Sequence, residues 1–343
     1  MLISDFDYEL PSELIAQEPL SARSDSRMLT VSTETKTFED KRFIDFPTFI
    51  KPGDLVVLNN TQVFPARLIG NTETGGKIEL FLIEETEEYV WQVLARPAKR
   101  LKQGKRIIFG EALSAIVLDK NFDGTISVNF QCNGNLNDAI DQIGKTPLPP
   151  YIKRGKDKID RDRKRYQTVY AQQRGAIAAP TAGLHFTPET FNQIKQAGAK
   201  IVEITLHVGY GTFEPVRVDQ LSLHRVKPER YLINEDVADL LNAAKKDNRR
   251  IIAIGTTTTR ALEAALQNHE RFTAGAGFAT LTITPGYKYR AVDALLTNFH
   301  LPCSSLLVLV STFGGHKLIM EAYNHAVCEK YRFYSYGDCM FIY

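Results

Sequence analysis

The sequence predicts an α/β main domain, made of βα units as a barrel or an open mixed sheet, with a small antiparallel β-barrel inserted into it. Three observations predict this. After Pro150, apolar strand-like runs alternate with helical ones, the pattern of an α/β layer architecture. From about Ala66 to Phe130 the texture is instead a series of short β-rich runs separated by turn signals, which suits a small barrel or sandwich. The chain also has 343 residues, more than the ~250 to 300 at which single cores stop growing.

Taken in order, the first sixty residues contain the strand KPGDLVVLNN (51–60) and group with the α/β part, so the expected domains are 1–65 with 150–343, and 66–149. Prolines in VFPARL and TPLPPYI flank the insertion. Its strands are GGKIELFLIEE (75–85), YVWQVLARP (89–97), KRIIFG (105–110), LSAIVLD (113–119) and GTISVNF (124–130). Next, RGAIAA (174–179) is expected as a strand leading to the helix PETFNQIKQ. Thr187 caps that helix, Pro188 suits its first position, Glu189 suits the positive end of its dipole, and Gly198 closes it. With AKIVEITLHVG (199–209) this makes one βαβ unit. A helix EDVADLLNAAKK capped by Asn234 precedes the strand RRIIAIG (249–255), which passes through GTTTT into the helix RALEAALQ. AVDALLT (291–297) then runs through NFHLP into CSSLLVLVSTF, a buried helix.

Composition excludes several classes. With 43% hydrophobic and 24% charged residues the chain is neither disordered nor collagen-like. Its N-terminus carries acids and no apolar core segment, unlike a secretory signal, and CSSLLVLVSTF is short of the ~20 residues of a bilayer span. A cytoplasmic protein is expected. The four cysteines lie far apart without CxxC spacing, so neither a disulfide framework nor a metal site is expected. Net charge is only +2, but RPAKRLKQGKR (96–106) has six basic residues and no acid, and KRGKDKIDRDRKR (153–165) has eight against three. Solvated surface is the commoner reading of such runs; the functional one is phosphate contact by Arg96, Lys99, Arg100 and Lys102, or by Arg161, Arg163, Lys164 and Arg165.

Four predicted strand ends are unusually polar: AAPTAGLHFT, LHVGYGTFEP, AIGTTTTR and LLTNFHLP. An α/β protein builds its site outside the carboxyl ends of its strands, so these four suggest one convergent pocket. Singly, each has a bland explanation, since threonines cap helices and histidines hydrogen-bond structurally. The recurrence of His185, His207 and His300 favours a catalytic role, because imidazole titrates near neutrality. Other templates fail. HVGYG lacks the third glycine of a dinucleotide loop, and GxxxxGK[ST], GxSxG and HExxH are absent. His224 sits in the polar turn LSLHRVKPERY with Arg225, Lys227 and Glu229 after it, and the turn either holds an anionic ligand or faces water.

At these residues the chain resembles the S-adenosylmethionine:tRNA ribosyltransferase-isomerases of queuosine biosynthesis. PARL (65–68), PLPPYI (147–152), RYQTVYA (165–171), AAPTAGLHFT, HVGYGTFEPV, GTTTTRALE, PGY (285–287), TNFHLP and YSYGD carry the resemblance, which runs essentially end to end. It departs at Lys227, where a second histidine is common, and at Asn60 and Gln62, where Asp and Arg are common. The resemblance implies that S-adenosylmethionine is a consumed ribosyl donor, with no true cofactor. The acceptor it implies is 7-aminomethyl-7-deazaguanine at the wobble position of a tRNA. The implied products are an epoxycyclopentanediol-modified base, adenine and methionine.

Such chemistry needs proton carriers, for which His185, His207 and His300 are the candidates; His185 ranks first because its loop is the longest. Thr181, Thr257, Thr258, Thr259 and Asn298 suit sugar hydroxyls, and Gly183 and Gly209 suit a close backbone approach to the nucleoside. Arg260 or Arg67 suits the methionine carboxylate or a tRNA phosphate. A non-catalytic RNA-binding protein and a methyltransferase are the rival readings.

Overall fold

The computed structural model describes residues 1–153, 159–213, 215–267 and 269–343, excluding the side chains of 159–161 and of 212–213. The strands are β1 (Arg27–Ser32), β2 (Thr37–Arg42), β3 (Leu55–Asn59), β4 (Thr61–Val63), β5 (Arg67–Thr72), β6 (Lys77–Glu87), β7 (Val90–Arg96), β8 (Arg106–Ile108) and β9 (Leu113–Lys120). They continue as β10 (Ile126–Cys132), β11 (Gln173–Ala176), β12 (Lys200–Leu206), β13 (Glu229–Ile233), β14 (Ile251–Ile254), β15 (Gly275–Ala279), β16 (Ala294–Asn298) and β17 (Cys339–Ile342). The helices are α1 (Leu136–Ile143), α2 (Ile159–Arg165), α3 (Pro188–Gln196), α4 (Glu235–Lys246), α5 (Thr256–Leu266), α6 (Ser305–Gly314) and α7 (His316–Cys328). Among the described residues no helix is long and apolar enough to cross a membrane.

The chain divides into two compact units: Met1–Gln62, Pro150–Lys153 and Arg165–Tyr343 form the larger, and Val63–Pro149 with 159–164 the smaller. The smaller unit contains a closed six-stranded antiparallel barrel in the order β10-β7-β6-β5-β8-β9. Its strands alternate as a half-buried sheet must: Ile78, Leu80 and Leu82 on β6 point inward with Val93, Val117 and Val128 from other strands. The sixth strand, β5, was not expected from the sequence. Its pattern RLIGNT holds only Leu68 and Ile69 as large apolar residues, so periodicity alone is weak there.

The larger unit is built on an open mixed sheet in the order β15-β13-β12-β3-β14-β16-β17-β1-β2. At its centre β12, β3, β14 and β16 are mutually parallel, so their carboxyl ends share one edge. β3, β14 and β16 are buried along their whole length, which explains their unbroken apolar runs. Phe43, Phe46, Phe186, Ile254, Leu296 and Phe341 belong to one core cluster of this unit.

One expected unit does not form. RGAIAA is a strand only over β11, which pairs outside the large sheet, so β11, α3 and β12 make no parallel βαβ. Gly175, at φ +154°, passes against the ring of His207, and Pro180 lacks the N–H that a continuing ladder needs. The helix beyond is as expected: Thr187 Oγ1 accepts the Thr190 amide at 3.2 Å and Pro188 is the first helical residue.

Candidate active site

The larger unit contains a cavity of about 300 Å³ at the carboxyl edge of the parallel strands. Val208 after β12, Gly255 after β14, and Thr297 and Asn298 of β16 all line it. Two helices begin at its wall: α5 contributes Gly255, Thr256 and Thr257, and α6 contributes Ser304, Ser305 and Leu306. Gly255, at φ +94°, has no side chain with which to cap α5, so the first-turn amides lack a cap. Ser304 does cap α6, accepting from the Leu307 amide at 3.2 Å while donating to Leu301 O at 2.8 Å. Tyr151, Tyr334 and Phe299 supply aromatic wall, with the rings of Tyr151 and Tyr334 3.8 Å apart. Two wall residues, Cys303 (φ 53°) and Tyr334 (φ 75°), hold the left-handed backbone that non-glycine residues seldom adopt.

The three candidate histidines separate sharply. His300 lines the cavity and is 8% exposed. The Thr297 hydroxyl stands 3.0 Å from His300 Nε2, a hydrogen bond whose direction follows the tautomer of the ring. Its Nδ1 has, among the described residues, no protein partner, and it carries a lone pair whenever Nε2 holds the ring proton. His185 does not line the cavity. Its Nδ1 lies 2.7 Å from Ser26 Oγ, its Nε2 3.4 Å from Asn298 Oδ1, and its ring 5.4 Å from that of Phe43. The long loop that ranked it first is a buried 3₁₀ turn, Thr181–His185, so much of the extra length serves the core. His207 is not in the cavity wall either, and its Nδ1 meets Thr61 Oγ1 at 2.8 Å.

Titration near neutrality is also corrected. Burial pushes His300 down to about 3 and His185 down to about 4, and it lowers His207, where Arg230 adds to the effect. At pH 7 all three are neutral, able to accept or donate a hydrogen bond but carrying no charge.

Of the other expected residues, Thr181, Thr257 and Asn298 line the cavity. Gly183 instead faces Tyr170, whose hydroxyl would lie 2.0 Å from an added Cβ, so its close approach is to protein. The Gly209 amide donates to Glu229 Oε1 at 3.0 Å. Thr258 and Thr259 donate back to Ile254 O and Gly255 O, the usual use of a mid-helix threonine. Arg260 is buried and ion-paired with Glu229, outside this cavity. Arg67 belongs to the smaller unit and forks onto Glu79 with two 3.1 Å bonds.

The basic runs also divide. Arg96, Lys99, Arg100 and Lys102 are exposed and form no ion pair among the described residues. Arg163 donates to Asp141 O at 3.1 Å, and Arg165 to Ser21 O at 2.9 Å and Leu20 O at 2.7 Å, so these two serve the protein. Lys164 is exposed and has a protein partner. Residues 154–158 and the side chain of Arg161 lie outside the described residues.

Sequence reasoning missed Asn59, which joins the edge together. Its amide donates to Leu206 O at 2.9 Å and its carbonyl accepts from Leu206 N at 3.0 Å, while its nitrogen reaches Thr257 Oγ1 at 3.4 Å. The only signal was a polar pair ending an apolar strand. It also gave no role to Tyr151 and Tyr334, though both stand in motifs already singled out, PLPPYI and YSYGD. Asn298 Nδ2 holds Tyr334 O at 2.9 Å.

A model of the queuosine biosynthesis protein family matches residues 3–342. The S-adenosylmethionine:tRNA ribosyltransferase-isomerase of Syntrophotalea carbinolica is 48% identical over 344 residues, 100% of each chain. That of Geobacter metallireducens is 47% identical, again over 100% of both. The crystal structure of the S-adenosylmethionine tRNA ribosyltransferase of Thermotoga maritima superposes with a TM-score of 0.57 at 35% identity, over 99% of this chain and 100% of that one. With a full-length family match, and full-length relatives at nearly half identity, the chain belongs to the queuosine biosynthesis protein family.

Proposed function

We propose that this chain is a transferase that moves and isomerises the ribosyl group of S-adenosylmethionine onto 7-aminomethyl-7-deazaguanine at the wobble position of a tRNA. Adenine and methionine leave, and epoxyqueuosine-tRNA is formed. The observation that carries the reading is the cavity itself: parallel strand ends and two helix starts enclose a neutral histidine with one unengaged ring nitrogen. The names of the full-length relatives supply the substrates.

The positive sulfur of S-adenosylmethionine acidifies the adjacent ribose CH₂. His300 Nδ1 accepts that proton, in the tautomer whose Nε2–H donates to Thr297. The sugar then opens and adenine leaves on protonation. Burial pushes the phenols of Tyr151 and Tyr334 up, so they remain neutral donors at this wall. The amine of the acceptor base attacks, and ring and epoxide closure expels methionine. First-turn amides of α5, which no side chain caps, suit the methionine carboxylate, in place of Arg260 and Arg67, which are committed to Glu229 and Glu79. The aromatic walls suit a stacked base and, with the buried surroundings, keep water from reactive intermediates. His185 acts at one remove, by holding Asn298.

Chromatography of a reaction with S-adenosylmethionine and tRNA bearing the aminomethyl base tests this. Equimolar adenine and methionine are expected. S-adenosylhomocysteine would mean methyl transfer, and no product at all would mean binding alone.

A further inference from the structure

A second cavity of about 280 Å³ in the larger unit has a different character. Arg217, His224, Arg225 and Lys227 line it, and no described carboxylate does. Arg217, Arg225 and Lys227 are exposed. Among the described residues Arg217 and Arg225 form no ion pair. Arg225 is oriented by two 2.7 Å bonds to backbone carbonyls, of Ser222 and His224, which fix the guanidinium without neutralising it. His224 Nε2 is buried and, among the described residues, has no hydrogen-bond partner. Pro215 and Ser305 line both this cleft and the reaction cavity, so the two adjoin.

We infer that this cleft binds a backbone phosphate of the tRNA next to the modified nucleotide, with Arg217 and Arg225 as the principal contacts. Two guanidiniums without an ion pair among the described residues are suited to a phosphodiester. The methionine end of the sulfonium substrate fits worse, because among the described residues its ammonium group would meet the Arg217 and Arg225 guanidiniums and no carboxylate. A base presented for chemistry must leave its stack, and a phosphate clamp beside the reaction cavity fixes the register in which it does so. The inference rests on the reading of the substrate as a tRNA.

The test uses the full chain carrying Arg217→Ala and Arg225→Ala together, with tRNA binding measured without the sulfonium substrate across a salt series. Affinity should fall by ~10-fold or more at low salt, and the log-log salt slope should flatten by ~0.7 to 0.9 per lost contact. Arg217→Lys with Arg225→Lys should restore most of the slope. S-adenosylmethionine affinity measured without tRNA should stay within about twofold of the parent, since neither arginine lines the reaction cavity. Unchanged tRNA affinity and slope would overturn the inference, and so would a loss of S-adenosylmethionine affinity with tRNA binding intact. Failure of the parent chain to release adenine would instead count against the reaction, because the binding measurement needs no turnover.

Discussion

Replacing His300 with Gln should slow the chemical step by ~10² to 10⁴ while leaving the fold and S-adenosylmethionine binding in place. Glutamine keeps a group that can bond Thr297 but removes the basic nitrogen at Nδ1. Single-turnover adenine release measures the effect. The pH dependence adds a second mark. A base acts in its unprotonated form, and burial pushes His300 down to about 3, so the working form persists as pH falls through the ordinary histidine value of 6.5. The acid limb of the rate should therefore lie well below 6.5. His185→Gln is the companion variant. It disturbs a buried network with Ser26 and Asn298, and should cost ~1 to 3 kcal/mol of stability, with a smaller loss of turnover than His300→Gln. A His300 variant with normal turnover, or a His185 variant that is stable and inactive, would move the base away from His300.

The second large effect concerns Arg260. Both partners of the Arg260–Glu229 pair have side chains about 5% exposed or less, and Glu229 also accepts the Gly209 amide. Arg260→Ala strands a buried carboxylate and should destabilise the chain by ~3 to 5 kcal/mol, read as a shifted denaturation midpoint. Arg260→Met combined with Glu229→Leu should recover part of the loss, since an apolar pair leaves no uncompensated charge. If Arg260→Ala were as stable as the parent and bound S-adenosylmethionine poorly, the arginine would be a ligand contact after all.

The sequence made the long, regular parts of this architecture legible. α3, α4 and α6 fall close to where the sequence places them, while α5 begins at Thr256, one turn before the expected RALEAALQ, because the threonines of GTTTT form its first turn. What it hid was short or decided by distant partners. β17 is four residues long and is recognisable as a strand only beside β1 and β16. β11 looked like a sheet strand because RGAIAA is apolar, yet its pairing lies outside the large sheet.

The site was legible as a set of strand ends and illegible as a set of side-chain directions. His185, His207 and His300 have near-identical local settings, but only His300 lines the cavity, and the difference depends on Ser26 and Thr61, which are remote in sequence. Thr256 to Thr259 divide in the same way: one turn of helix sends Thr256 and Thr257 to the cavity and folds the Thr258 and Thr259 hydroxyls back onto carbonyls.

In the proposed reaction the ribose of S-adenosylmethionine, and not its methyl group, ends up on the tRNA. Two parallel reactions measure this, one with label in the ribose carbons and one with label in the methyl carbon, each followed by recovery and nuclease digestion of the tRNA. One ribose-derived label per modified wobble nucleoside is expected, and none from the methyl group. Methyl label in the tRNA without ribose label would contradict it.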